Sequence, residues 1–154
     1  MSTSYLPKGY PVLSPYLFVD GASAAIDFYC KVFGASERMR MPGPDGKLMH
    51  AELAIGESVI MLSDEHPEMK ALGPKTVGGT PVMVGVYVED VDAVVAAAVA
   101  EGSIVERPVQ DQFYGDRSGT FEDPFGHRWN VATHIEDVSP EEMQKRMASM
   151  GGGC

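Results

Sequence analysis

One order of strand, helix and hairpin signals occurs twice along this chain at a nearly constant separation, and that repeat limits the possible folds more than any other feature. Phe18 and Tyr87 stand 69 positions apart, Gly34 and Gly102 stand 68 apart, and the turn glycines Gly56 and Gly126 stand 70 apart. In the first copy an alternating run from Leu13 to Asp20 precedes "GASAAIDFYCKVF", whose Ala22, Ile26, Tyr29 and Phe33 share one helical face. Gly34 ends that helix, "SERMRM" continues as an extended run, and "LMHAELAI" and "SVIMLS" form a hairpin across Gly56-Glu57.

The second copy runs through "PVMVGVYVED", a helix opened by Asp90 with Val91, Val94, Val95, Ala98 and Val99 on one face, then "SIVERPV", "DRSGTFED" and "HRWNVATHI". Each copy therefore reads β-α-β-β-β, and the fold class is α+β. A four-stranded sheet carrying one helix leaves a face uncovered, so two copies must combine, within one chain or between chains, and share a cavity. The expected organisation is one domain, 1–138, built of modules at about 11–64 and 81–138 with a polar linker at 65–80. Residues 139–154 add a short helix opened by the capping box Ser139-Pro140-Glu141-Glu142, then a flexible "GGGC" tail.

A chain of 154 residues that is 44% hydrophobic can bury a core without staples. Cys30 and Cys154 make no disulfide framework, which points to a reducing compartment, and the cytoplasm is the expected location. No charged-then-apolar leader is read in the opening residues and no apolar run approaches the roughly 20 residues of a membrane span, so a soluble protein with no membrane partner is expected. A formal charge of −10, from 22 acids against 12 bases, argues against a nucleic-acid partner and suits a cationic ligand. Phosphate-loop and nucleophile-elbow motifs are absent.

The βαβββ-βαβββ order, the helix end "FYCKVFGA" and the last hairpin "DPFGHRWNV" together resemble the vicinal oxygen chelate superfamily of glyoxalases, bleomycin-resistance proteins and dioxygenases. "HAELAIGESVIMLSDE" and "FYGDRSGTFEDPFGHRWNVATHIEDVSPEEM" are most similar to its PhnB-like subgroup. The resemblance implies an open, U-shaped mixed β-barrel with a ligand on its concave face. It also implies a homodimer formed by module exchange and, in the enzymes, a divalent metal held by His or carboxylate side chains.

Strand alternation places Ser14, Tyr16 and Phe18, and likewise Met83, Gly85 and Tyr87, on the concave side, with their valine and leucine neighbours under the helices. With the hairpins aligned, Ser14, Met61, Met83 and Asn130 are the best match to the superfamily's metal positions. None is a His or a carboxylate, so no metal or other cofactor is expected. Alternation in "LMHAELAI" sends Leu48, His50 and Glu52 to the cavity side, opposite Met49, Ala51, Leu53 and Ile55. His50 and Glu52 are the candidate ligand-binding pair and the only candidate acid-base pair; the bland alternative is an ordinary wet sheet face. A metal at His50 and Glu52 with His127 or His134 remains a weaker possibility.

Tyr16, Phe18, Tyr87 and Tyr114 can offer flat faces to a planar ligand, whereas Trp129, next to Asn130, belongs to the core side. Arg117 either pairs with Asp116 or meets a ligand anion. The expected function is binding of a small organic molecule without the usual metal centre, in the manner of bleomycin-resistance proteins. The alternatives are a metal-dependent lyase, isomerase or dioxygenase, or a structural role with a residual cavity.

Overall fold

A computed structural model describes residues 3–151. The first module is β1 (Tyr16–Val19), α1 (Ala22–Phe33), β2 (Ser36–Pro42), β3 (Leu48–Ile55) and β4 (Ser58–Asp64). The second is β5 (Met83–Tyr87), α3 (Val91–Ala100), β6 (Ile104–Asp111), β7 (Asp116–Glu122) and β8 (Arg128–His134). Between them lie a 3-10 turn (Pro67–Met69) and the one-turn helix α2 (Pro74–Val77), so the linker carries local structure that its polarity concealed. Helix α4 (Pro140–Gly151) closes the described chain, with the Ser139 hydroxyl accepting from the Glu142 amide at 3.2 Å. Of the tail, residues 152–154, Cys154 included, lie outside the described residues.

The two mixed sheets have equivalent orders, β1-β4-β3-β2 and β5-β8-β7-β6, with the first pair parallel in each and the rest antiparallel. They do not join into a closed barrel. Helix α1 stops at Gly34, which adopts the left-handed φ of 68° needed to end it. In α3 the Asp90 carboxylate accepts from the Ala93 amide, satisfying a free helical N–H.

The apolar faces of both sheets and of α1 and α3 converge on one core. Tyr29 and Phe33 of α1 pack at a tilt against Trp129 of the second sheet, with ring centroids 5.3 and 4.7 Å away. Because the helix-bearing faces turn toward each other, the two concave faces look outward. A single chain therefore presents two open half-walls, while clefts lined by both modules open along the seam between them, the one beside Phe33, Ile55, Tyr87, Val94 and His134 measuring about 910 Å³.

Asp123 ties this core together. The carboxylate is buried and accepts from the Tyr29 hydroxyl at 2.5 Å, the Trp129 indole at 2.9 Å and the Phe125 and His127 amides. Burial first, and then the charge of Asp123, pushes the Tyr29 phenol well above its ordinary range. "DPFGHRWNV" is thus a turn whose acid, aromatic and amide groups hold the second hairpin to the helix of the first module.

Two apolar positions depart from simple alternation. The β2–β3 pairing passes from Met41 opposite His50 to Pro42 opposite Leu48, leaving Met49 as an extra residue. That bulge turns Leu48 into the core at 2% exposure and Met49 outward at 45%, correcting the expectation that Leu48 shares the cavity side with His50. In α3, Val91, Val95 and Ala98 are buried, but Val99 lies on the solvent side of the helix.

Candidate ligand-binding site

On the concave face of the first sheet, Tyr16 is opposite Met61 and Met61 is opposite Glu52, forming a row across three strands. His50 stands one step along β3 on the same side. Glu52 is only 4% exposed, an unusual position for a carboxylate, and its two oxygens are both engaged. One accepts from the Tyr10 hydroxyl at 2.7 Å; the other lies 2.9 Å from His50 Nε2. His50 Nδ1 is 2.8 Å from the Tyr16 hydroxyl.

An ionised carboxylate can only accept, so Nε2 carries the proton toward Glu52, and in the neutral ring Nδ1 accepts from the Tyr16 hydroxyl. The result is a continuous line, Tyr10–Glu52–His50–Tyr16, from the N-terminal segment to a half-exposed phenol. Burial alone would push the Glu52 carboxyl upward, but the hydrogen bonds from His50 and Tyr10 outweigh it and hold the group below the usual carboxylate range. Arg38 adds favourable charge and lies 4.4 Å from the centroid of the Tyr10 ring. A carboxylate-oriented imidazole with a phenol on its other nitrogen can pass a proton to or from a bound molecule through Tyr16.

Phe18 packs beside Tyr16 at 5.3 Å, so a flat aromatic edge borders this polar line. Tyr10 and Arg38 escaped the sequence reading. Tyr10 lies in a stretch without strand or helix periodicity, and only the fold brings it over β3.

The second module supplies different groups at the equivalent places. Gly85, Asn130 and Thr120 form the row that corresponds to Tyr16, Met61 and Glu52, and Ser118 stands where His50 would be. Toward the end of the sheet the Tyr87 hydroxyl donates to Asp116 at 2.7 Å. The two nitrogens of His134 face Asp116 at 2.8 Å and Asp137 at 2.7 Å. Hydrogen bonding to Asp137, then to Asp116, raises the His134 pKa, favouring an imidazolium that donates from both nitrogens and is ill suited to act as a base. Tyr114 stands with Phe113 beside a cleft over β6 and β7.

Arg117 does not face that cleft. It alternates to the helix side of β7, where its guanidinium donates to both oxygens of Asp92 in α3 and to Asp111, at 2.8 to 2.9 Å. The expected pair with Asp116 is not formed: Asp116 points to the concave side, toward Tyr87 and His134, and Arg117 binds Asp92 and Asp111 instead.

The four positions matched to metal ligands carry a hydroxyl (Ser14), two thioethers (Met61, Met83) and an amide (Asn130). That set does not fit a hard or borderline divalent cation. Met61 and Asn130 are opposite Tyr16 and Gly85, with Ser14 and Met83 two residues earlier on β5 or just before β1. His127, the other imidazole considered as a helper, donates from Nε2 to the Phe18 carbonyl at 2.9 Å, so that nitrogen is already engaged. Among the described residues no group of three or more His, Cys, Asp or Glu side chains is gathered for a metal, and no helix is long and apolar enough to cross a membrane.

A family model described as the Glyoxalase/Bleomycin resistance protein/Dioxygenase superfamily matches residues 12–131. An uncharacterized protein of Mycobacterium bovis is 47% identical over 146 residues, covering 93% of this chain and 96% of its own. Among solved structures, protein PA1353 from Pseudomonas aeruginosa superposes with a TM-score of 0.68 at 26% identity, over 80% of this chain and 98% of that one. A PhnB protein from Bacillus cereus shares the fold at 17% identity and a TM-score of 0.63, over 80% and 99% of the two chains.

Proposed function

The chain belongs to the glyoxalase/bleomycin resistance protein/dioxygenase superfamily, and from that premise we propose that it binds a small organic molecule on its concave sheet faces without the superfamily's usual metal centre. The observation that carries this reading is the Tyr10–Glu52–His50–Tyr16 line. A buried carboxylate and an imidazole are costly on a face with no task, and here they orient a phenol toward open space. Tyr16, Phe18 and Met61 supply the apolar surface around it, and thioethers repack readily against ligands of varied shape.

The outward orientation of the two half-walls supports assembly as a homodimer in which the first module of one copy faces the second module of the other. One chain then contributes the His50 wall and its partner the Asn130 wall of each cavity.

The test is a calorimetric titration of the purified protein with a panel of planar aromatic compounds, paired with elemental analysis of protein prepared without chelator. Saturable binding weakened in His50→Ala and Glu52→Ala, with substoichiometric metal, is the expected result. Stoichiometric Zn, Ni, Fe or Mn that is lost in His50→Ala would overturn it in favour of a metal-dependent lyase, isomerase or dioxygenase.

A further inference from the structure

We propose that the concave face of the second module holds an oxyanion site for a small aromatic carboxylic acid, formed by Arg107, Ser118 and Asn130; this rests on the reading that the concave faces bind ligand. A cleft of about 280 Å³ opens there between β6, β7 and the loop after β6, and Arg107, Gln110, Phe113, Tyr114, Ser118 and Asn130 line it.

The lining is rich in unused donors. Arg107 is opposite Thr120, on the concave side of its strand. Among the described residues the other arginines are all engaged: Arg38 over the Tyr10 ring, and Arg40, Arg117, Arg128 and Arg146 with carboxylates. Arg107 has no such partner, in a chain where acids outnumber bases by 22 to 12. Ser118 is 5% exposed, yet its hydroxyl has no hydrogen bond among the described residues. Asn130 accepts one long contact from the Thr120 hydroxyl at 3.5 Å, leaving its amide N–H groups free.

No carboxylate lines the cleft. The neighbouring acids have partners of their own: Asp116 accepts from Tyr87 and faces His134, and Glu106, whose carboxylate also feels the Arg107 charge, accepts both nitrogens of the Arg128 fork. Donors that face a cleft without acceptors are matched by a ligand that brings the acceptors, and the planar guanidinium and amide suit a planar carboxylate. Phe113 and Tyr114, packed edge to face at 5.2 Å, give an apolar wall for the ring that carries it.

Gly85 adds no side chain beside Asn130. It stands opposite Asn130, at the place that Tyr16 occupies in the first module, and a Cβ built there meets no atom within 4 Å. The local lining thus opposes the sign suggested by the net charge of −10.

The experiment is an NMR titration of the ¹⁵N-labelled full chain with benzoate at constant chloride concentration, with benzyl alcohol and benzamidine as neutral and cationic comparators. Saturable shifts at the Arg107 Nε–H and the Gln110, Ser118 and Asn130 amides are expected with benzoate, and binding of each comparator is weaker by about tenfold or more. Arg107→Gln should weaken benzoate by a similar factor. Asn130→Ala, which keeps every charge and removes an amide that lines the cleft, should weaken it as well, and keeps the test decisive if the arginine variant folds poorly. Equal affinity for benzyl alcohol, or unchanged affinity in either variant, would overturn the site. Shifts confined to Tyr16 and His50 would also overturn it while leaving the concave-face reading intact; no shifts on either wall with any of the three compounds would remove both.

Discussion

The two modules share a frame and differ in nearly every polar group that the frame displays. Residue 64 and residue 133, 69 positions apart, both secure the start of a helix. Asp64 does so with a carboxylate that accepts from the Gly21 and Ala22 amides and, through its second oxygen, from Leu48. Thr133 does so with a hydroxyl that accepts from Val91 and donates to the Val88 carbonyl. The concave rows diverge further: Tyr16, Met61, Glu52 and the adjacent His50 on one wall, against Gly85, Asn130, Thr120 and Ser118 on the other. Positions 64 and 133 hold equivalent helix starts with different groups, whereas the groups on the two concave rows share no such common contact.

The largest break in that comparison lies at the turn. In the first module Gly56 and Glu57 alone make the hairpin, but in the second the turn depends on Asp123. Asp123→Ala strands the Tyr29 hydroxyl, the Trp129 indole and two amides in the core, and should cost about 3–5 kcal/mol. Urea unfolding followed by Trp129 fluorescence measures it. Asp123→Asn, which places an amide N–H₂ or a single oxygen where two donors converge, should recover only part of the loss. Glu57→Ala, at the exposed turn of the first module, should be nearly neutral, and a comparable loss there would show that both turns carry the core.

A smaller difference is expected at the helix caps. Asp64→Ala removes acceptors for three amides and should cost about 2 kcal/mol, while Thr133→Ala removes one acceptor and one donor and should cost about 1 kcal/mol. Hydrogen exchange at Gly21 and Ala22, against Val91, separates the local fraying of each helix from global unfolding. Equal losses would mean that the charge of Asp64 adds nothing to its geometry.

The frame was legible in the sequence because repetition and period-2 alternation are properties of the backbone. They located both sheets, put Trp129 in the core and set Glu52 opposite Met61. Alternation failed where an extra residue entered one strand, at Met49, since a bulge leaves no compositional mark. Through "DRSGTFED" no alternation was drawn, so the phase that puts Arg117 with Gly119 and Phe121 on the helix side went unused. Gly115 turns at φ +100°, and its carbonyl accepts from Ile135 and Glu136. Tyr10 was out of reach altogether, because a contact between an irregular segment and a strand 42 residues away has no periodic signature.

The two walls also titrate in opposite directions, and this gives the smallest expected effect. Glu52 on the first wall has a native pKa below its ordinary 4.5, because the bonds from His50 and Tyr10 outweigh the effect of burial. Its contribution to stability is therefore complete above 4.5 and is lost as the pH falls through the depressed native value. His134 on the second wall has a native pKa above its ordinary 6.5, through hydrogen bonds to Asp137 and Asp116. Its contribution is complete below 6.5 and is lost as the pH rises through the raised native value. Glu52→Gln should flatten the acid limb of a stability-against-pH curve and leave the limb above 6.5 unchanged. His134→Gln should do the reverse, by a smaller amount, because solvent screens its half-exposed ring. An NMR titration of the His134 ring with a midpoint at or below 6.5 would show that its two carboxylates do not hold the proton, and the contrast between the walls would then rest on Glu52 alone.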